Sequence, residues 1–568
     1  MNAEQIRERI KAVVLENGGH LASSLGAVEL SIALSEVFDP YEDRIVWDVG
    51  HQSYAWKLLT GRMDKFDTLR KLDGISGFPN PAESRADASV AGHAGVALSI
   101  ASGMASARDR NGERRNVVAV VGDAAIANGT SFEAINNLAF ATRKVIVVLN
   151  DNKMSISRPT GSIARLLGGL ITNVRYNRVK SAAETVGHRL GLAFLRHVYH
   201  GFESWIKSWF LCNAYFEQFG LRYIGPVDGH DLNRLRSALT VAKEDKRSVL
   251  VHVVTCKGKG FAPAEIDPTK YHGVSPKGLG GGGRDWSRAF GDAICAMARK
   301  DPRIVALTAG MKDGVGLTGF AEEFPNRLVD VGIAEGHMVA FAAGLAAGGM
   351  RPVVAVYSTF LQRAIDQVMH DVCISKLPVV FCVDRAGVVG HDGVTHQGLY
   401  DFAMLKALPN LTICQPCDED ELGRMMAEAL DRNGPTVIRY PRGTVKSGMG
   451  VSGHGLAEQL ARPDAKVQIW STGDQLPKAM RVADRIGAGV VYSRYLKPFD
   501  EELLRRQKIA GATVVSLENG SVAGGFGESI GAAVKFGWPD EFIPHGSVAD
   551  LERRYHLDED SIEEKING

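Results

Sequence analysis

The sequence is poor in cysteine, nearly uncharged overall and without long apolar runs, and each of these features excludes a class of protein. It has 7 cysteines in 568 residues, an odd number without framework spacing, which argues against a disulfide-stabilised fold. A net charge of +1 gives no electrostatic reason to expect nucleic acid or an anionic membrane as a partner. No apolar run approaches the ~18 residues of a membrane span, and the charged first residues lack the apolar core of a signal peptide. We therefore expect a cytoplasmic protein that binds neither nucleic acid nor membrane.

Two of the cysteines, Cys414 and Cys417, form an isolated C-x-x-C pair. A structural metal site with this spacing normally needs a second pair, and the sequence has none. We interpret the two residues as thiols beside the end of a strand rather than as a metal or redox site.

Glycine, by contrast, is abundant: 63 residues, many of them at predicted turns between strands and helices. Such turns are where α/β proteins bind phosphate groups. With 45% hydrophobic and 23% charged residues, the composition is that of a globular protein. A chain of this length is too long for a single core, so we expect two or three domains.

Alternating apolar runs and helical segments divide the chain into three α/β blocks. The first spans residues 1–277, a glycine linker spans 278–283, the second block spans 284–447 and the third 448–568. We predict a doubly wound, mostly parallel sheet in each block. The segment 166–218, rich in aromatic residues, is expected to form a helical excursion over the first sheet. Predicted strands are 45–49, 116–121, 145–149, 249–255, 304–307, 353–357, 379–383, 437–440, 467–470, 489–492 and 513–517, and predicted helices are 97–107, 131–142, 286–299 and 365–374.

Oxygen-bearing side chains follow two of the apolar runs in the first block. Asp123 follows the run 117–121, and Asn152 comes about thirty residues later, just after the run 145–149. Because ligands gather at the carboxyl ends of parallel strands, we expect both side chains at one edge of the sheet. A carboxylate, an amide oxygen and a nearby backbone carbonyl suit a hard divalent cation that also holds a diphosphate. The pattern resembles the cofactor motif of thiamine diphosphate enzymes.

In the second block, Glu335 follows a strand-like stretch and precedes a run of small residues that predicts a helix. A helix-start glutamate stabilised by the helix dipole is the simplest interpretation. The alternative is that Glu335 is the acid that thiamine chemistry requires, hydrogen-bonded to the aminopyrimidine of the cofactor. Its occurrence together with Asp123 and Asn152 favours the second interpretation.

Further stretches are similar to the 1-deoxy-D-xylulose-5-phosphate synthase family over nearly the whole chain. They are Gly19-His20-Leu-Ala-Ser-Ser-Leu-Gly26, Trp47-Asp-Val-Gly-His51-Gln52, Gly225-Pro-Val-Asp-Gly-His230-Asp231, Tyr357-Ser-Thr-Phe-Leu-Gln-Arg363, Asp384-Arg385-Ala-Gly-Val-Val-Gly390, Asp392-Gly-Val-Thr-His396-Gln-Gly398 and Arg439-Tyr-Pro-Arg442-Gly443. Members of that family join pyruvate to D-glyceraldehyde 3-phosphate with loss of carbon dioxide, using thiamine diphosphate and Mg²⁺. The resemblance implies a homodimeric transferase that begins the non-mevalonate isoprenoid pathway and supplies thiamine and pyridoxal synthesis.

The resemblance also assigns residues to the cofactor. It implies that Asp123, Asn152 and the Met154 carbonyl bind Mg²⁺, and that Glu335 activates the pyrimidine. The residues expected to line the cofactor are Ala124, Ala125, His51, Gly92, His93, Ala94, Lys257 and Phe261. The backbone amides of Ala124 and Ala125 are expected to bind its diphosphate.

Other residues are assigned by the resemblance to the substrates. Tyr357, Arg363, Arg385 and Arg442 match positions that hold the phosphorylated acceptor, a task that suits the planar donor fork of arginine. The residues that match positions around the reacting carbons are His20, Asp392 and His396, with His272 as a further candidate. Imidazoles at such positions transfer protons near neutral pH.

The chain departs from the family pattern at three positions. Ala124 stands where the family usually has glycine, which matters if that position requires a positive φ. Gly336 replaces a glutamine or glutamate, and His391 replaces a small residue. Two alternatives stay open: a transketolase-like ketol transferase, and a non-catalytic, thiamine-binding paralogue.

Overall fold

The computed structural model describes residues 1–152, 213–277 and 283–567. The chain forms two compact units, one of residues 1–69 and 77–277, the other of residues 70–76 and 278–568. Met154 and most of the predicted excursion 166–218 lie outside the described residues. No helix in the described ranges is long and apolar enough to cross a membrane.

The first unit is built on a parallel sheet of five described strands. These are β1 (Arg44–Trp47), β2 (Val117–Gly122), β3 (Ile146–Asp151), β4 (Arg222–Asp228) and β5 (Val249–Val254), in the order β1-β2-β3-β5-β4. The central strands are continuous β-branched runs because helices bury both faces of a parallel sheet. Gly122 pairs with Asn150, so the chain leaves β2 and β3 at the same sheet edge.

The helices of the first unit pack on both faces of this sheet. They are Ala3–Asn17, Leu21–Gly26, Val28–Val37, Tyr54–Leu59, Ala97–Arg110, Gly129–Ala141, Asn213–Gln218, Leu232–Glu244 and Ala262–Ile266, with a 3₁₀ turn at Phe66–Thr68. One apolar cluster includes the helices that begin at Ala97 and Gly129, and the other includes those that begin at Val28 and Leu232. The sheet is therefore wound on both sides, as predicted.

The second unit contains two sheets. The larger comprises β6 (Ile304–Thr308), β7 (Leu328–Asp330), β8 (Arg351–Tyr357), β9 (Val380–Asp384), β10 (Thr412–Cys414), β11 (Thr436–Arg439) and β15 (Tyr495–Lys497). Its order is β15-β10-β11-β9-β8-β6-β7, and all pairs are parallel except β10 with β15.

The smaller sheet comprises β12 (Ala457–Ala461), β13 (Val467–Thr472), β14 (Gly489–Ser493), β16 (Thr513–Ser521) and β17 (Val534–Trp538). Its order is β12-β14-β13-β16-β17, with only β12 antiparallel. Three mostly parallel sheets with packed helices confirm the predicted α/β class.

The helices of the second unit include one irregular segment. The regular ones are Trp286–Ala298, Thr318–Glu323, Glu335–Ala347, Ser358–Leu361, Ile365–Gln367, Asp401–Leu405, Glu419–Asp431, Leu476–Ile486, Glu501–Ile509, Phe526–Ser529, Val548–Arg554 and Glu559–Asn567, with 3₁₀ turns at Pro325–Arg327, Gln362–Ala364 and Gly473–Gln475. The predicted helix 365–374 is in fact the short helix Ile365–Gln367 followed by a π-helix at Val368–Cys373. The six described cysteines are free, and burial raises the pKa of both Cys414 and Cys417, as in unreactive thiols.

Candidate active site

The turn after β2 brings Asp123 to the carboxyl edge of the first sheet. The Ile126 amide donates to the Gly122 carbonyl at 3.0 Å, and Asn128 caps the next helix by accepting from the Thr130 amide at 3.0 Å. Asp123 is only 7% exposed. Ala124 does not have a positive φ, so alanine fits this backbone as well as glycine does.

The Asp123 carboxylate lies in a poorly solvated environment. Burial raises the pKa of Asp123 to about 7, and the nearby Asp151 carboxylate adds to the rise, whereas the Ala124 amide and the Lys257 ammonium oppose it. Burial likewise lowers the pKa of Lys257 to about 8, against the attraction of Asp123. A buried, partly protonated carboxyl group at this edge would gain from a nearby divalent cation, which favours the ionised form.

Asn150 fixes the loops around this edge, a role that the sequence reasoning missed. Its side-chain amide donates to Gln52 Oε1 at 2.7 Å and accepts from Thr255 Oγ1 at 2.6 Å. Asn150 therefore holds the residues next to His51 and close to Lys257. The sequence feature that could have identified Asn150 is its position within the stretch Leu149–Met154, which also contains Asn152.

Asp151 begins a second buried chain of hydrogen bonds that was also not foreseen. His252 Nε2 lies 3.0 Å from Asp151 Oδ2, and His252 Nδ1 lies 2.7 Å from the Tyr223 hydroxyl. The chain links Asp151, at the end of β3, to the middle of β5 and to the start of β4.

Three histidines from separate loops of the first unit meet in one cluster. The ring centroids of His20, His51 and His272 lie 5.4–5.9 Å apart. Burial lowers the pKa of His51 and of His272 well below 6.5, and Lys257 and the neighbouring imidazoles act in the same direction. These two imidazoles are therefore neutral at pH 7 and can accept protons. Among the described residues, His51 Nδ1 has no hydrogen-bond partner.

The Gly92-His93-Ala94 turn lies beside the Asp123 turn. The Gly95 and Ala97 amides donate to the Asp48 carboxylate at 2.8 and 3.0 Å, which anchors the end of the turn. Gly95 has φ +83°, and a Cβ there would approach the Asn128 side chain to 2.5 Å. The two turns are thus packed against each other at Gly95, where any side chain would force the Asn128 side chain to move.

The Lys257 loop packs against the helix that follows His20. The Gly258 amide donates to the Ala22 carbonyl at 2.8 Å, which brings Lys257 close to the histidine cluster. Phe261 lies farther along the same loop, and its ring contacts Tyr271 edge-on at 5.5 Å, next to His272.

Glu335 is the first residue of its helix in the second unit and is only 5% exposed. Burial raises the pKa of Glu335, although the guanidinium of Arg363, 3.7 Å from Glu335 Oε2, acts in the opposite direction. A glutamate placed only for the helix dipole is expected to have a lowered pKa. The raised pKa of Glu335 instead suits a carboxylic acid that donates a hydrogen bond.

Gly336 is explained by its neighbour. A Cβ at this position would lie 3.3 Å from Gln367 Oε1, so the amide of Gln367 lies against the space that a longer side chain would need. A side chain at this position would require the Gln367 amide to move slightly.

Tyr357, at the end of β8, is the centre of an aromatic and cationic group. The Arg385 guanidinium lies 4.0 Å from the Tyr357 ring centroid, and Phe360 stacks on the same tyrosine at 5.7 Å. Phe360 in turn contacts the His396 ring at 5.8 Å, and His396 Nδ1 lies 2.9 Å from Thr395 Oγ1. The structure thus brings together three residues that the family resemblance assigns to the substrates: Tyr357, Arg385 and His396.

Asp392 forms ion pairs with two arginines. Arg442 Nη1 lies 3.1 Å from one oxygen, and Arg70 Nη1 lies 2.8 Å from the other. Arg70 was not predicted, since it stands in no recognised motif and lies more than 300 residues from Asp392 in the chain. His391, which departs from the family pattern, binds the Arg70 carbonyl through Nδ1 at 3.1 Å.

Comparisons with known proteins agree over the whole chain. The family model described as 1-deoxy-D-xylulose-5-phosphate synthase matches residues 1–255, and those of the transketolase pyrimidine binding domain and C-terminal domain match 283–447 and 455–562. A 1-deoxy-D-xylulose-5-phosphate synthase of Geobacter sulfurreducens is 44% identical, with 99% of this chain and 95% of the relative covered. One from Natranaerobius thermophilus is 43% identical, with 99% and 94% covered. The chain belongs to the 1-deoxy-D-xylulose-5-phosphate synthase family, thiamine diphosphate-dependent transferases of the transketolase type.

Proposed function

We propose that this protein condenses pyruvate with D-glyceraldehyde 3-phosphate, releasing carbon dioxide, and that Arg385 binds the acceptor phosphate. One observation carries the assignment of a phosphorylated acceptor. The Arg385 guanidinium is held against the Tyr357 ring, yet none of the described residues makes a hydrogen bond or ion pair with it. Its five N–H donors are therefore uncommitted, and a phosphate is the group that such a fork binds best.

We propose Mg²⁺ as the metal and Asp123, Asn152 and the Met154 carbonyl as its protein ligands. The donor set supports the proposal, because carboxylate and amide oxygens are hard ligands for a hard cation. The raised pKa of Asp123 supports it as well, since a divalent cation would offset the cost of burying that carboxylate. The amides of Ala124 and Ala125 are proposed to bind the diphosphate.

Each group of residues has a proposed task in the reaction. When bound, thiamine diphosphate supplies the electron sink for decarboxylation of the 2-oxo acid. Glu335 keeps a proton on its carboxyl group and donates it in a hydrogen bond to the pyrimidine. The neutral imidazoles of His51 and His272 accept protons near the reacting carbons, with His20 beside them. On the second unit, His396 is proposed to give a proton to the new hydroxyl group.

We also propose that the protein is a homodimer. The helix Glu335–Ala347 is apolar on all sides, and such helices are normally buried. Its outer face nevertheless leaves Phe341 40% exposed, and Ile374, on the segment packed beside this helix, is 65% exposed. A second copy of the chain would cover this face. Sedimentation should give a dimer, and Phe341→Asp should shift it to monomer.

The cytoplasmic location stays a prediction. The six described cysteines, all free, fit a reducing compartment.

The deciding experiment is an assay with pyruvate and D-glyceraldehyde 3-phosphate in which the product is identified. We expect equal amounts of carbon dioxide and 1-deoxy-D-xylulose 5-phosphate. A transketolase-like enzyme would instead transfer a ketol unit between sugar phosphates without releasing carbon dioxide. A non-catalytic paralogue would bind thiamine diphosphate in a calorimetric titration and form neither product.

A further inference from the structure

Asn519, in β16 of the smaller sheet, reaches across to the loop that follows β9 of the larger sheet. This loop, residues 385–398, carries Arg385, Asp392 and His396 and is called the acceptor loop below. Asn519 Oδ1 accepts a hydrogen bond from the Val388 amide of the acceptor loop at 3.1 Å. The backbone carbonyl of Asn519 accepts another from Arg439 Nη2 at 3.1 Å.

The Asn519 side chain lies in the space that a side chain at Gly387 would occupy. Gly387 has φ +87°, and a Cβ at this position would lie 2.2 Å from the Asn519 amide. Gly387 also exchanges two backbone hydrogen bonds with Gly398, at 2.6 and 2.7 Å, which close the loop. Because Gly387 has no side chain, the Asn519 side chain lies directly against the backbone of the acceptor loop at this residue.

Arg385 itself has a backbone conformation that needs support. Its φ is +59°, in the left-handed region that costs a non-glycine residue free energy unless its surroundings hold it. On one side the Ala386 amide donates to the Tyr440 carbonyl at 3.0 Å. Farther along the chain come the two hydrogen bonds between Gly387 and Gly398, and then that of the Val388 amide with Asn519.

Two hydrogen bonds with residues outside the acceptor loop fix the orientation of the Asn519 amide. Its Nδ2 donates to Asp474 Oδ2 at 3.0 Å, and Trp538 Nε1 donates to its Oδ1 at 3.1 Å. A carboxylate on one side and an indole N–H on the other leave only one arrangement of the amide oxygen and nitrogen. Oδ1 therefore faces the Val388 amide.

We propose that Asn519 is a positioning residue that sets the direction of the Arg385 guanidinium and so the affinity for the acceptor phosphate. It touches no substrate and acts through the backbone of residues 386–388. The inference rests on the proposed role of Arg385 as the phosphate-binding residue.

The test compares Asn519→Ala with the wild-type holoenzyme. The KM for D-glyceraldehyde 3-phosphate should rise about five- to tenfold, the effect of one lost amide hydrogen bond on a binding step. The values of kcat/KM for unphosphorylated D-glyceraldehyde and the affinity for thiamine diphosphate should change less than about twofold. A purely structural role would instead lower both acceptor activities together, and that outcome overturns the proposal.

Two further variants keep the test decisive if Asn519→Ala is unstable. Asp474→Asn removes the carboxylate that orients Asn519 while leaving the acceptor loop intact, so the same KM should rise by a smaller factor. Trp538→Phe removes the other group that orients the Asn519 amide, so the KM for D-glyceraldehyde 3-phosphate should again rise by a small factor. An unchanged KM for the phosphorylated acceptor in Asp474→Asn as well as in Asn519→Ala contradicts the proposal.

Failure of this inference is distinguishable from failure of the proposed function. If wild type does not convert pyruvate and D-glyceraldehyde 3-phosphate, the function is wrong. If wild type converts them and Asn519→Ala behaves like wild type with both acceptors, only the role of Asn519 is wrong.

Discussion

Arg385 lies over the ring of Tyr357, with its guanidinium carbon 4.0 Å from the ring centroid. The tyrosine orients the cation without using its N–H donors, because a cation–π contact engages the face of the guanidinium rather than its edge. Arg442 differs, since Asp392 already accepts from one of its nitrogens at 3.1 Å. Arg385 therefore has its N–H donors available to bind a phosphate, whereas Arg442 already donates one hydrogen bond to Asp392.

Arg385→Ala should impair use of the phosphorylated acceptor selectively. A charge-assisted contact is worth roughly 1.5–3 kcal/mol, which corresponds to about a ten- to hundredfold loss in kcat/KM for D-glyceraldehyde 3-phosphate. Unphosphorylated D-glyceraldehyde should lose much less. Arg442→Ala should show the same preference with a smaller loss, because part of its hydrogen bonding goes to Asp392.

The matched control is Arg432→Ala, since Arg432 lies over the Tyr495 ring at 5.7 Å, away from the proposed site. This variant should behave like wild type with both acceptors. An equal loss of both acceptors in Arg385→Ala would mean that Arg385 serves the fold or the cofactor.

Glu335→Gln should separate cofactor binding from chemistry. The amide keeps the shape of the side chain but loses the acid, so thiamine diphosphate should still bind while carbon dioxide release falls by about 10²–10⁴-fold. Calorimetry and a carbon dioxide assay measure the two effects. Glu323→Gln, which removes an exposed carboxylate paired with Arg299, is the control and should change neither. A decarboxylation rate within a few-fold of wild type would show that Glu335 is not the activating acid.

The strands at the sheet centres could be predicted from the sequence because their apolar pattern needs no tertiary context. β2, β3 and β9 lie within one or two residues of the predicted ranges, since a strand buried on both faces is a continuous apolar run. The predicted ranges omit six strands: β4, β7, β10, β12, β15 and β17. All of these except β10 lie at the edge of a sheet, and such strands depend on the neighbour with which they pair.

The same distinction applies to the site. The spacing of Asp123 and Asn152 locates them because the parallel register of β2 and β3 follows from local sequence. Arg70 and Asn519 could not be found in this way. Each reaches the acceptor loop from a position more than 100 residues away, through a contact that no local pattern records.

Asp123→Ala should abolish Mg²⁺-dependent binding of thiamine diphosphate without unfolding the protein. The folded chain should tolerate the change, because the pKa of about 7 means that burying this carboxylate opposes folding in the apoprotein. Calorimetric titration with and without Mg²⁺ measures binding, and thermal unfolding of the apoprotein checks the fold. Cofactor affinity equal to that of wild type would contradict the assignment of Asp123 as a metal ligand.

The buried histidine cluster should make the apoprotein sensitive to acid. Burial holds the pKa of His272 and of His51 well below 6.5, so both remain neutral in the folded chain while the same residues take up protons in the unfolded chain. The unfolded state then binds more protons as the pH falls through about 6.5, and the free energy of unfolding decreases in that direction. Their contribution to stability is complete above that pH and is lost below it.

We expect the Tm of wild type to fall between pH 7.5 and about 5.5. In His272→Asn this fall should be smaller, because one of the two groups no longer titrates. His454→Asn, at an exposed position in the second unit, is the control and should follow wild type. Parallel Tm curves for His272→Asn and wild type across this range would contradict the assignment of His272 as a neutral imidazole in the folded chain.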